Sequence, residues 1–266
     1  MSLIFRILGC GSSAGVPRVA LGWGVCDPRN PKNRRRRCSL LIERHGPKGV
    51  TRVLIDTSAD LRAQILDAET PALDAVLYTH SHADHIHGID DLRSFVLQSE
   101  TLLDAWMDAP TSAVIKRGFG YLFESPPGSL YAPVLRERRL APGELVTVDG
   151  AGGPISALPF LLDHGEISAL GFRFGDVAYS PDLVRIPDES LSALANLDLW
   201  IVDALRYKKH PTHFCVADAL EWIARLKPGR AVLTNLSSEV DFETLDNETP
   251  ENVEPAYDGM TFESLG

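Results

Sequence analysis

Four of the eight histidines, His80, His82, His85 and His87, fall in one stretch of eight residues. The run Thr79-His80-Ser81-His82-Ala83-Asp84-His85 has the form HxHxDH and follows the apolar segment Asp74-Ala75-Val76-Leu77-Tyr78. A strand end leading into a tight loop can aim His80 and His82 at one ion. Asp84 and His85, adjacent at the start of a helix, can aim at a second position nearby. Neutral imidazoles with a carboxylate suit Zn, Mn or Fe ions. Such a cluster needs further ligands. His164 follows a hydrophobic run at 155–162, and Asp182 follows another at 176–179, where strand ends project side chains from a sheet edge. The two oxygens of Asp182 suit it to bridging two ions. His213, in His210-Pro211-Thr212-His213-Phe214, stands at the entry to a helix. There an imidazole can bind phosphate, protonate a leaving alkoxide, or simply cap the helix.

These groups need strands to carry them. Residues 4–8 read as a strand, and Gly9-Cys10-Gly11-Ser12-Ser13-Ala14-Gly15 as a small-residue turn for close backbone packing or for lining a cavity. Residues 16–38 read as irregular. Residues 39–43 and 52–56 form a predicted hairpin, residues 59–66 a helix, and residues 74–79 a buried strand ending at His80. A helix over 86–97 follows the histidine cluster. Further strands are expected near 105–107, 145–148, 155–162, 170–174, 176–179 and 199–202, with a helix around 113–118 and a Pro-rich loop at 125–133. An amphipathic helix over Val216–Leu226 stops at Pro228-Gly229, and residues 231–234 form the last strand expected. No repeat, linker or charge step divides the chain, so residues 1–266 read as one α/β domain.

The composition narrows the partners. The chain has 266 residues, 44% hydrophobic and 23% charged, with a formal charge of −10. An acidic surface disfavours gripping a long nucleic acid, because counterion release requires basic residues. No apolar run approaches the roughly 20 residues that span a bilayer, and residues 1–6 do not resemble a secretory leader. A cytoplasmic protein is expected, with Cys10, Cys26, Cys38 and Cys215 as reduced thiols. A homodimer is left open. The five-charge cluster of Lys32 and Arg34 to Arg37 reads as solvated or paired with acidic neighbours. His87, two residues past His85, points elsewhere on the helix and reads as a partner to a ligand, not as one, and Asp56, Asp203 and Arg206 read as partners too; His45 and His210 read as surface residues.

The order of HxHxDH, a single His and an Asp after a strand resembles the metallo-β-lactamase superfamily, over nearly the whole chain. The resemblance implies a four-layer αβ/βα sandwich of two mixed sheets flanked by helices, with one or two divalent ions at one edge. It assigns His80, His82 and His164 to one ion, Asp84 and His85 to the other, and Asp182 to both. True β-lactamases usually carry Cys at the position of Asp182. The glycine-rich start, the block 33–37 before Cys38-Ser39, and Leu54-Ile55-Asp56-Thr57 are similar to the phosphodiesterase branch, in particular phosphoribosyl 1,2-cyclic phosphate phosphodiesterases and, more distantly, ribonuclease Z. That branch places a substrate-contacting histidine at His213. It also places a metal-binding His after the last core strand, where this chain has Leu233-Thr234-Asn235. Asn235 is a weaker ligand or a substrate contact. The implied activity is metal-dependent hydrolysis of a small, cyclic or nucleotide-like phosphodiester, with Asp84 and His213 as catalytic groups. The alternatives are a thioester or lactone hydrolase of the same fold, or a non-catalytic metal-binding protein with a degraded second site.

Overall fold

The computed structural model describes residues 2–264. The chain begins with β1 (Leu3–Gly9), the hairpin β2 (Ser39–Gly46) and β3 (Gly49–Ile55), then α1 (Leu61–Asp67) and β4 (Ala75–Leu77). After these come α2 (Ala83–Ile86), α3 (Arg93–Ser99), β5 (Leu103–Met107), α4 (Ala109–Phe119) and β6 (Leu135–Arg139). The second half holds β7 (Val146–Val148), β8 (Ile155–His164), β9 (Ile167–Phe174), β10 (Val177–Ser180) and β11 (Leu199–Asp203). It ends with α5 (Val216–Leu226), β12 (Arg230–Thr234), α6 (Phe242–Glu248), β13 (Val253–Pro255) and β14 (Thr261–Ser264).

The strands form two seven-stranded sheets, ordered β14-β1-β2-β3-β4-β5-β6 and β13-β12-β11-β10-β9-β8-β7. Each sheet is mixed. In the first, β3 to β6 run parallel; in the second, β10 to β13 do. Both faces of each sheet are covered, which is why the central strands read as unbroken apolar runs. Alternation then sorts their side chains between layers. Leu40, Ile42, Val53, Ile55 and Leu77 face Leu170, Phe172, Phe174, Tyr179 and Ile201 between the sheets. Leu41, Leu54, Val76 and Tyr78 point the other way, against Leu61, Ile86, Ile89 and Leu92. Trp200, Val202 and Leu233 likewise pack under Val216, Ala219 and Ile223 of α5. The result is the expected four-layer sandwich.

One expectation needs correction, and two parts of the fold lie outside the sequence reading. The continuous helix over 86–97 is broken: α2 ends at Ile86, a 3-10 turn covers Ile89–Leu92, and α3 starts at Arg93. Gly88 explains the break. Its backbone presses on the loop before α1, where a Cβ would lie 2.2 Å from the Ser58 carbonyl oxygen, and its N–H donates to Thr57 O. Strand β6, Leu-Arg-Glu-Arg-Arg, carries no apolar alternation to reveal it. It is an edge strand whose Arg136 and Arg138 bind Asp104 on β5, while its Glu137 binds Lys116. The chain also continues past residue 234 into α6, β13 and β14, and β14 returns to pair with β1.

The arginine run is structural. Arg35 is buried and donates to the carbonyls of Val240 at 2.7 Å and Ser237 at 3.2 Å. Arg36 pairs with Asp67 and Arg37 with Asp60. Gly9 and Gly11 leave room for this segment; a Cβ on Gly9 would meet Arg37 O at 2.1 Å. No helix among the described residues is long and apolar enough to cross a membrane.

Candidate metal centre

The ends of the parallel strands converge on one edge of the sandwich, where open α/β sheets expose their loops. β4 ends two residues before Thr79-His80; β8 ends on His164; Asp182 follows β10, Asp203 closes β11 and Asn235 follows β12. The elements thus bring His80, His82, Asp84, His85, His164, Asp182, His213 and Asn235 to one place. Ring or carboxylate atoms of His80, His82 and His164 lie within 4.8 Å of one another, as do those of His80, His85 and Asp182. Asp182 is the hub. Its Oδ1 is 3.3 Å from His85 Nε2, and its Oδ2 is 3.6 Å from His164 Nε2 and 3.9 Å from His80 Nε2.

Each buried imidazole is oriented by a bond on its far nitrogen. His85 Nδ1 donates to Asp56 Oδ2 at 2.7 Å, and His164 Nδ1 donates to Thr212 O at 2.7 Å. Thr79 Oγ1 donates to Asp56 Oδ2 at 2.7 Å and so accepts from His80 Nδ1 at 2.9 Å. These tautomers leave the Nε2 atoms bare. His80 Nε2, His85 Nε2 and Asp182 Oδ1 are buried without any hydrogen-bond partner, and His82 Nδ1 faces His164 Nε2 at 3.2 Å. Buried ligand atoms that converge without a protein partner are costly unless a cation fills the gap. The cluster therefore fits divalent metal ions.

Burial pushes the pKa of His80 well down, and the neighbouring His85 adds to this. Burial also opposes charge on His85, but Asp182, Asp84 and Asp56 outweigh it and raise its pKa. The Asp182 carboxyl resists burial in the same way and is held well below the usual range by His85 and the other imidazoles.

His213 does not cap α5; that role falls to Cys215. Its Nδ1 donates to Asp203 Oδ2 at 2.8 Å, and it lies 3.8 Å from Asp182. Burial disfavours the imidazolium, yet Asp203 and Asp182 together raise its pKa to about 9. Asn235 has a left-handed backbone, φ +60°, which Asn tolerates, and its amide donates to Pro181 O at 3.2 Å. The expected supporting roles divide. Asp56 and Asp203 each accept from a site histidine. Arg206 instead holds the carbonyls of Lys208 and Lys209 and Glu239. His87 is exposed and packs edge-on to Phe119, because it lies on the opposite side of the short helix from His85. His45 is exposed as expected. His210, expected at the surface, instead lines the cavity beside His213, with ring centroids 5.1 Å apart. The cavity above the cluster measures about 290 Å³, and Ser12, Ser13 and Arg18 form part of its wall. Sequence reasoning missed Arg18 and His210, since neither sits in a motif.

Residues 51–234 match the beta-lactamase superfamily domain. The chain belongs to that superfamily. Its fold and sequence fall in the phosphodiesterase branch that the glycine-rich start suggested. A solved diphosphatase of the PhnP family is 32% identical, with a TM-score of 0.89 over 99% of this chain and 98% of that one. The human tRNase Z short form, at 18% identity, shares the superfamily fold with a TM-score of 0.65 over 100% of both chains. A curated relative from Porphyromonas gingivalis (strain ATCC BAA-308 / W83), named octanoyltransferase, is 32% identical over 256 residues, 96% of this chain. The alignment covers 50% of that relative, so this chain spans about half its length. The activity in its name is that of the longer protein.

Proposed function

We propose that this superfamily member is a metal-dependent phosphodiesterase acting on a small, cyclic or nucleotide-like phosphodiester. The observation that carries the reading is the partnerless trio of His80 Nε2, His85 Nε2 and Asp182 Oδ1 beneath a cavity whose wall holds His213. The likeness to a PhnP-family diphosphatase supports phosphorus as the reacting centre. His80, His82, His164 and Asp182 would hold one divalent ion; Asp84, His85 and Asp182 would hold another, with Asn235 as a weak contact. Such ions, Zn or Mn with Fe as a third candidate, supply Lewis acidity and make water a competent nucleophile near neutral pH.

The chain's own groups do the rest. Asp84, on the cavity wall, accepts a hydrogen bond from the attacking water and orients it. His213, kept protonated by Asp203, binds a phosphoryl oxygen and delivers a proton to the leaving alkoxide. A cavity of about 290 Å³ accommodates a sugar phosphate, not a folded RNA, and the charge of −10 repels a long polyanion.

The test is hydrolysis by protein loaded with Mn, Zn or Fe of bis-aryl phosphodiesters, aryl phosphomonoesters, nucleoside cyclic phosphates and acyl thioesters. Turnover of diesters above monoesters and thioesters is expected. Turnover of thioesters alone would replace the reading with an acyl hydrolase, and turnover of nothing would leave a metal-binding accessory protein.

A further inference from the structure

The outer face of the first sheet carries a cationic cavity apart from the metal centre. Phe5 and Ile7 of β1 point into the core between the sheets, so Arg6, between them, points to the opposite face. There it lines a cavity of about 220 Å³ at the C-terminal end of α1, with Arg34 and Arg36 from the loop before β2 and Asp258 from the turn before β14. No residue of this lining belongs to the cavity above the histidine cluster. Its three guanidiniums meet two carboxylates, and both are engaged. Asp67 pairs with Arg36. Asp258 is held by backbone, accepting from Arg36 N at 2.8 Å and Cys10 N at 3.2 Å. Arg37, Arg52, Arg136 and Arg138 each have a carboxylate within 4 Å. Among the described residues, none reaches Arg6 or Arg34. Arg6 Nε is buried without a partner, and Nη1 reaches only Ala68 O at 3.4 Å. Arg34 lies over the ring of Trp23, 5.3 Å from its centroid, with its donors unused. A buried donor without an acceptor costs about 1–3 kcal/mol, and a bound anion would remove that cost.

We propose that this cavity is a separate ligand site for inorganic phosphate or the phosphate group of a small phosphorylated compound, held by Arg6, Arg34 and the free donors of Arg36. The site is independent of the phosphodiesterase reading, since it shares neither residues nor chemistry with the metal centre. Guanidiniums that arrive from β1 and from the loop before β2 call for an anion with acceptors on several sides. A tetrahedral phosphate has them, whereas a planar carboxylate presents two oxygens along one edge. The small volume excludes a nucleic acid chain.

The experiment is calorimetric titration of the metal-loaded protein with inorganic phosphate and with ribose 5-phosphate, in the wild type, Arg6→Gln, Arg34→Gln and His213→Ala. The wild type should show a saturable event that His213→Ala keeps, since His213 belongs to the other cavity. Arg6→Gln and Arg34→Gln should each weaken that event by about tenfold, the loss of a charge-assisted bond. Thermal denaturation without phosphate checks the fold. Arg34 is exposed, so Arg34→Gln should melt with the wild type and carries the test if Arg6→Gln does not fold. Tighter binding of ribose 5-phosphate makes a phosphorylated compound the occupant; if it binds no more tightly, the occupant is the free anion. No saturable binding in the wild type, an event that disappears in His213→Ala, or one unchanged in both arginine variants overturns the proposal. Because binding needs no turnover, a failed hydrolysis screen leaves this result intact.

Discussion

Asp56 and His85 are joined by a 2.7 Å hydrogen bond with no solvent exposure on either side chain. The same carboxylate accepts from Thr79 N at 2.8 Å and from Thr79 Oγ1 at 2.7 Å, and through that hydroxyl it also sets the ring of His80. One buried acid on the first sheet therefore aligns one imidazole from each half of the metal cluster. Its backbone adopts φ +61°, a left-handed conformation that turns the chain back under the HxHxDH loop.

Asp56→Asn should weaken ion binding without touching a ligand. The amide cannot accept all three bonds, so one donor faces an NH2 group. Ion affinity should fall by about 10- to 100-fold. Stability should fall by about 1–3 kcal/mol. Chelator-competition titration and urea denaturation measure the two effects; unchanged ion affinity would refute the positioning role.

His82→Ala and Asp182→Ala should each lose bound ion and turnover together. Asp182 stands within 4 Å of His80, His85, His164 and His213, so its removal takes away the carboxylate that both groups of imidazoles would share as a ligand. Elemental analysis of the purified variants is expected to show depleted metal, with activity down by about a hundredfold or more. Full occupancy and turnover in both variants would reassign the site.

The two ions should differ in affinity. His80, His82, His164 and Asp182 make a three-imidazole set, whereas Asp84 and His85 offer one imidazole. The protein should retain one tight ion per chain and gain activity on added Mn or Zn. Asn235→His should raise the second affinity. The left-handed backbone at φ +60° accepts histidine more readily than most residues. Two ions held through mild chelation in the unaltered protein would contradict this account of Asn235.

The pKa of about 9 at His213 gives a pH signature. The imidazolium predominates below that value, so kcat/KM for a diester with a poor leaving group should fall as pH rises through about 9. Asp203→Asn removes the main carboxylate that favours the cation, and should move this limb to lower pH. The sign for stability is the same. A raised pKa adds stability that is complete below the unfolded value, about 6.5, and is lost as pH rises through about 9. A limb that stays in place in Asp203→Asn would remove His213 as the proton donor.

Gly88→Ala should destabilise the fold locally around His85. The added Cβ would meet Ser58 O at 2.2 Å and Leu61 Cβ at 2.7 Å, and neither backbone can retreat within the packed layer. A loss of about 1–3 kcal/mol in chemical denaturation is expected. A neutral effect would show that the junction between α2 and the following 3-10 turn is softer than its packing implies.

Much of this protein was legible in its residues. The run HxHxDH, His164 and Asp182 each lie beside a continuous apolar strand, and a strand buried on both faces has such a run and a definite end. Those ends meet at one edge of the sandwich, so the residues that converge there could be named as candidate ligands from the spacing and the family resemblance. Other features have no local signal. β6 is held by ion pairs with β5 and α4, and β14 by pairing with a strand more than 250 residues away. The break at Gly88 comes from contact with Ser58, not from its own helical pattern. His210 was misread for a related reason: the loop before α5 folds it back over the site, whereas the turn of His87 away from the site follows from its spacing to His85 alone. Arg36 and Arg37 lie in the same category: their partners Asp67 and Asp60 are distant in sequence, and only the tertiary structure decides which charges meet.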